Sequence, residues 1–301
     1  MHTLRSLWLA LSLATLSFPA FSSGPIPIVA SFSILADMTR QIGGERVEVH
    51  ALVSENGDAH VYQPTPSDGK RLKRARLVIV NGLGFEGWID RLIKSSGFSG
   101  PVVVASAGVK TLQLATAPGH EHTHQAHDID PHAWLDAGNA LTYAENIERA
   151  LIHADPEGKA EYQANAERYR RRIAELDAWI RTTLVAIPPE RRRVVTSHDA
   201  FGYFSRAYGI AFIAAVGVNS SADPSAANVA RIIRQLKKEK VPAIFVENIS
   251  DTRLLERIQK ESGAKPGGVL YPDSLSKSGG PAATYLDLMR HNAFVLSASL
   301  Q

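Results

Sequence analysis

Short apolar runs rich in β-branched residues alternate along this chain with amphipathic stretches, and Gly or Pro marks most of the joins. Residues 27–32 read as a strand and 34–42 as a helix closed by Gly43-Gly44, glycine being a common helix terminator. Residues 47–53 alternate as a strand and run into a loop, 54–66, that carries His60. A basic helical segment at 67–74 precedes 77–80, a buried strand by its β-branched run, which ends at Asn81-Gly82. An amphipathic helix over 85–94 and a strand over 101–105 complete this part. Asp136 is placed to cap a helix reaching about residue 153. Residues 156–186 then predict one long helix, with Tyr162, Ala166, Tyr169, Ile173, Leu176 and Ile180 spaced three or four apart. At 1.5 Å per residue it makes a rod of roughly 45 Å. Past Pro188-Pro189 the rhythm resumes, with strands at 194–197, 210–216, 243–246 and 268–271 and helices at 200–208, 224–240, 252–262 and 281–296. Repeated βα units imply α/β architecture, here two lobes, each a mainly parallel sheet flanked by helices, joined by a long rigid helix. The expected division is 23–135 for the N-terminal lobe, 136–188 for the linking helices and 189–301 for the C-terminal lobe.

Composition adds a location. Residues 1–22 have Arg5 as their only charge, an apolar stretch over 7–18, and small residues at Ala20 and Ser22, the pattern of a secretory signal peptide. No other stretch approaches the ~20 apolar residues of a spanning helix. The chain has no cysteine, hence no disulfide and no cysteine to carry a lipid, so the expected location is the periplasm, without a lipid anchor. The formal charge of +3 falls to about +2 once Arg5 leaves with the leader. That balance argues against nucleic acid as a partner.

Histidine supplies the candidate chemistry. Five of the eleven histidines fall within residues 120–132. His120, His122, His124 and His127 lie in a repetitive polar run, 119–127, that suits an accessory loop with weak metal affinity. His132 differs, being wedged into Asp130-Pro131-His132-Ala133-Trp134. Ligands of open parallel sheets bind beyond the carboxyl ends of the strands. His60, His198 and Asp273 each follow a predicted strand, and His132 leads into the linking helices. Singly, each has a plain structural reading as a cap, turn or surface group. Together, three neutral imidazoles and one carboxylate suit a tetrahedral divalent ion, zinc best of the common ones. With Zn(II), the site would carry a net charge of +1.

These residues resemble a known family. Gly57-Asp58-Ala59-His60-Val61-Tyr62-Gln63-Pro64-Thr65-Pro66, Asp130-Pro131-His132-Ala133-Trp134-Leu135-Asp136, Thr196-Ser197-His198-Asp199-Ala200-Phe201-Gly202-Tyr203-Phe204 and Tyr271-Pro272-Asp273-Ser274-Leu275 are similar, in order, to the four ligand motifs of the periplasmic metal-binding proteins of zinc and manganese ABC importers. The resemblance covers essentially the whole mature chain. It implies a buried metal between two lobes, with metal ligands His60, His132, His198 and Asp273 and only modest closure. Manganese members usually have Glu where this chain has His198, so zinc is the implied cargo, with manganese or iron as the alternative. The best-known zinc members leave the place of Asp273 to water or another group, which puts this chain with a subgroup of three His and one Asp. The implied role is capture of Zn(II) and delivery to the membrane permease of a zinc ABC transporter, by a monomer that a periplasmic zinc metallochaperone could load. The rival class is a secreted zinc hydrolase. Four protein ligands would fill the tetrahedron such an enzyme must leave open. The sequence does not assign the groups that orient the ligand rings; Glu247 and Asp68 are the two candidates to examine.

Overall fold

The computed structural model describes residues 24–114, 129–217 and 226–301. The expected leader and the histidine run 119–127 lie outside the described residues. The first half runs β1 (Ile26–Phe32), α1 (Ser33–Gly43), β2 (Val47–Val53), α2 (Pro66–Arg74), β3 (Leu77–Val80), α3 (Ile89–Ser96) and β4 (Val102–Val104). Two helices follow, α4 (Ala137–Ala154) and α5 (Lys159–Val185). The second half runs β5 (Arg193–Thr196), α6 (Gly202–Tyr208), β6 (Ala211–Ala214), α7 (Ala226–Glu239), β7 (Ala243–Glu247), α8 (Thr252–Ser262), β8 (Lys265–Leu270) and α9 (Tyr285–Leu300). The expected fold class holds: two four-stranded sheets, wholly parallel, flanked by helices.

The two sheets share one strand order. It is β2-β1-β3-β4 in the first and β6-β5-β7-β8 in the second. The direction of winding therefore reverses between β1 and β3, and again between β5 and β7. Such reversals open a crevice at the carboxyl ends of the strands, where ligands bind in open α/β sheets.

Local chemistry sets the boundaries. Asp136 caps α4 by accepting from the Gly138 N–H at 2.9 Å. The helix expected from residue 85 starts only at Ile89, because Gly82, Leu83 and Gly84 all take positive φ and turn the chain so that Phe85 points inward. The last helix begins at Tyr285 rather than 281, where the Thr284 hydroxyl accepts from the Asp287 N–H.

The stripe read along the long helix is its buried face: Tyr162, Ala166, Tyr169, Ile173, Leu176 and Ile180 are all buried. With 27 residues, α5 spans roughly 40 Å. It lies against α1 and α4 along one part of its length and against α9 along another. One continuous apolar cluster results, from Ile28 and Phe32 through Trp134 and Ile173 to Phe204, Leu270 and Leu288. Smaller clusters under α2 and α3, and under α7 and α8, cover the other faces of the two sheets.

Candidate metal centre

Each ligand candidate is set by a local hydrogen-bond pattern. In the loop after β2, Asp58 Oδ1 accepts from the His60 N–H at 2.8 Å, the turn that short acidic side chains favour. The loop is tied further by the Trp88 indole, which donates to the Ala59 carbonyl at 2.8 Å. The ring of His60 packs edge-on against Phe85, with centroids 4.7 Å apart.

His132 is held from both ends of its motif. Asp130 Oδ1 accepts from the His132 N–H at 3.0 Å and bonds its Nδ1 at 2.8 Å. The Asn81 amide, at the end of β3, donates to the Pro131 carbonyl at 3.0 Å. Tyr203 in α6 donates to the Asp130 carbonyl at 3.0 Å. Asp130 fits because residue 202 is glycine: a Cβ there would lie 2.4 Å from Asp130 Oδ2. Trp134 ties this motif to the fourth one, its indole donating to the Pro272 carbonyl at 2.8 Å.

His198 follows β5 and meets Glu247 at the end of β7. Glu247 Oε1 accepts from the N–H groups of Ser197 and His198 at 3.0 and 3.1 Å, and Oε2 bonds His198 Nδ1. A carboxylate on Nδ1 fixes the tautomer that leaves Nε2 with its lone pair free. His132 and His198 are both set this way, and each directs Nε2 at Asp273. Of the two candidates named from the sequence, Glu247 therefore touches a ligand candidate and Asp68 does not. Asp68 instead closes the start of α2, accepting from the Thr65 N–H at 2.7 Å and from Tyr62 at 2.8 Å. Asp130 was missed in that role although it stands in the motif, because a carboxylate before a proline also reads as a simple turn.

The fold brings all four sequence-selected residues together. One donor atom from each of His60, His132, His198 and Asp273 lies within 4.8 Å of every other, a group that could hold a metal ion. His60 Nε2 is 3.2 Å from His132 Nε2 and 3.5 Å from Asp273 Oδ2. His132 Nε2 is 3.4 Å from Asp273 Oδ1, and His198 Nε2 is 3.0 Å from Asp273 Oδ2. His132, His198 and Asp273 are buried. Yet His198 Nε2 and both carboxylate oxygens of Asp273 form no hydrogen bond of acceptable geometry. They lie within the same cluster as the other two imidazoles.

Charge follows from this crowding. Burial alone would push the His198 imidazole down, but the Glu247 and Asp273 carboxylates outweigh it and hold it well above its ordinary value. Burial would push the Asp273 carboxyl up, but the imidazoles of His132 and His198 outweigh it and hold it well below the usual carboxylate range. In the metal-free protein an ionised Asp273 therefore faces a His198 ring held toward its protonated form.

Residues 28–299 match the family described as zinc-uptake complex component A, periplasmic. Among its relatives, the manganese-binding lipoprotein MntA of Halalkalibacterium halodurans is 36% identical over 267 residues, 89% of this chain and 86% of that protein. The iron-binding protein YfeA of Yersinia pestis is 33% identical over 271 residues, 90% of this chain and 85% of that one. Among solved structures, the periplasmic zinc-binding protein TroA of Treponema pallidum superposes with a TM-score of 0.84 at 27% identity, covering 92% of this chain and 99% of its own. These relatives correct one expectation. MntA, like streptococcal relatives, is named a lipoprotein, so the reading of a free periplasmic protein without a lipid anchor is withdrawn. With the match running through almost every element described above, this chain belongs to the metal-binding solute-binding proteins of ABC importers.

Proposed function

We propose that the protein captures Zn(II) with His60, His132, His198 and Asp273 and hands it to the membrane permease of a zinc ABC transporter. One observation carries this reading: four donors, three of them on buried residues, lie within 4.8 Å of one another with four of their contacts at 3.0–3.5 Å, while three of their atoms have no hydrogen-bond partner. Metal–ligand distances of ~2.0–2.1 Å in a tetrahedron imply donor spacings of about 3.3 Å. Unpartnered buried polar atoms cost roughly 1–3 kcal/mol each, a cost that a central cation removes. Three imidazole nitrogens against a single carboxylate favour zinc among the common divalent ions. The protein is a carrier rather than an enzyme, since four protein ligands leave no position for a reacting water.

A second cargo is favoured by a specific feature. Both oxygens of Asp273 face the imidazoles, and a carboxylate binding through both would raise the coordination number toward that of manganese or iron. Manganese- and iron-binding relatives support the same alternative. Metal content after purification, followed by competition titration of the wild type and His132→Ala, separates the two. Zinc should displace manganese from the wild type, and the variant should lose tight binding of either. Displacement of zinc by manganese would move the cargo assignment to manganese.

The division into an N-terminal lobe over 23–135, linking helices over 136–188 and a C-terminal lobe over 189–301 belongs to the same proposal. So do monomeric action, loading by a zinc metallochaperone, and weak accessory binding by His120, His122, His124 and His127.

A further inference from the structure

A cleft of about 570 Å³ runs between α2 and α3, beside the loop that carries His60. It starts at Pro64 and Thr65, where that loop ends, and Trp88 and Leu92 form its apolar wall. Three cations, Lys70, Lys73 and Arg91, line it, and no carboxylate does. None of the three has a hydrogen-bond or ion-pair partner among the described residues. Their neighbour Arg71 does, being held by Asp68 Oδ1 at 3.3 Å. The origin of this imbalance is local. Asp68 is committed to the start of α2, and every later charge on that helix is positive. Like charges gathered around a concave, partly apolar wall focus a positive potential into it. The wall is also bonded to the ligand loop, through the Trp88 indole on the Ala59 carbonyl and the Tyr62 ring 5.0 Å from that of Trp88.

We propose that this cleft docks an acidic peptide segment of the importer's membrane component, with its carboxylates on Lys70, Lys73 and Arg91 and an apolar side chain between Trp88 and Leu92. The inference rests on the reading of the chain as an importer's binding protein and is independent of which metal the centre holds. A flat bilayer surface does not fill a concave cleft, and an inorganic anion leaves its apolar wall uncovered. Charged groups around such a wall give orientation and encounter rate, the two things a shuttling carrier needs at its membrane partner.

The test uses the zinc-loaded mature protein and the peptide acetyl-Glu-Glu-Leu-Glu-Glu-amide, followed by calorimetric titration. Submillimolar binding is expected, weakened about tenfold or more by the triple variant Lys70→Glu/Lys73→Glu/Arg91→Glu and by ~0.5 M salt. Zinc titration of the same variant should match the wild type, which separates failure of docking from failure of the metal reading. If the triple variant does not fold, the pair Lys70→Gln/Arg91→Gln carries the comparison. Equal affinity for the Gln-Gln-Leu-Gln-Gln peptide, or unchanged affinity in the charge variants, overturns the proposal. So does binding of phosphate or of phosphatidylglycerol vesicles in place of the peptide.

Discussion

Each sheet closes the crevice between its two central strands with a buried glutamate, yet the two glutamates hold different things. Between β1 and β3, Glu86 accepts from the Ser31 hydroxyl and from the N–H groups of Asn81 and Gly82. Between β5 and β7, Glu247 accepts from two backbone N–H groups and also takes the ring of His198. Glu86 therefore reaches the metal centre only indirectly, by fixing Asn81, whose amide holds Pro131 next to His132. One architectural position has become a backbone clamp in the first half and a ring holder in the second. Shared topology supplies the crevice, and the side chain that projects into it decides the chemistry.

The largest effect on this comparison should come from the residue both halves meet. Asp273→Ala removes the carboxylate that faces all three imidazoles, and zinc affinity should fall by more than the ~10–100-fold loss typical of a supporting group. Competition titration against a chelator measures it; a loss within that range would demote Asp273 to a support.

Next come the two glutamates themselves. Glu247→Gln should weaken zinc binding by ~10–100-fold, because the ring loses the group that fixes its tautomer. Glu86→Gln should instead cost about 1–3 kcal/mol of folding stability, by placing amide hydrogens against N–H donors, and leave zinc affinity within a few-fold. Paired chemical melts and zinc titrations check both. Equal effects on affinity would erase the distinction drawn between the two crevices.

The smallest effect is that of pH on the metal-free protein. His198 titrates well above its ordinary 6.5, so it adds stability that is full below about pH 6.5 and lost as pH rises through its folded value. Asp273 titrates well below its ordinary 3.8, so it adds stability present above about pH 4 and lost as pH falls through its folded value. The metal-free protein should be most stable between these limits. Zinc needs a neutral His198, so its stabilisation should grow toward neutral pH, by up to ~1.4 kcal/mol per pH unit for one displaced proton. Thermal melts across pH, with and without zinc, test this; a metal-free protein that steadily gains stability above pH 7 would contradict it.

Much of this was legible in the chain itself. Apolar runs and periodicity reveal the strands of the described residues, though not the Lys265–Gly267 start of β8, and the buried stripe of α5, since period and burial share a physical cause. His132 stands out by its motif, whereas His60, His198 and Asp273, unremarkable singly, gain meaning because each follows a strand at a place where a parallel sheet leaves room. What could not be read depends on contacts between distant segments. Nothing local says that Asp130 turns its carboxylate onto the next ligand, or that Gly202 leaves the space for it. Asp68 looked equally suited to support a ring and is spent on a helix end. The three positive-φ residues before Phe85 delayed α3 by a turn, a backbone detail that hydrophobic spacing does not carry.

The apolar cluster that runs unbroken through both halves also limits how cargo can leave. Parting the sheets like the covers of a book would wet that cluster, and exposing even 200 Å² costs about 5 kcal/mol. The seam over the metal centre is lighter, a few polar contacts such as Asn56 N–H to the Leu275 carbonyl at 3.0 Å and the Asn248 amide to Asn56 Oδ1 at 3.0 Å. An opening confined to that seam would free the centre at far lower cost than parting the sheets.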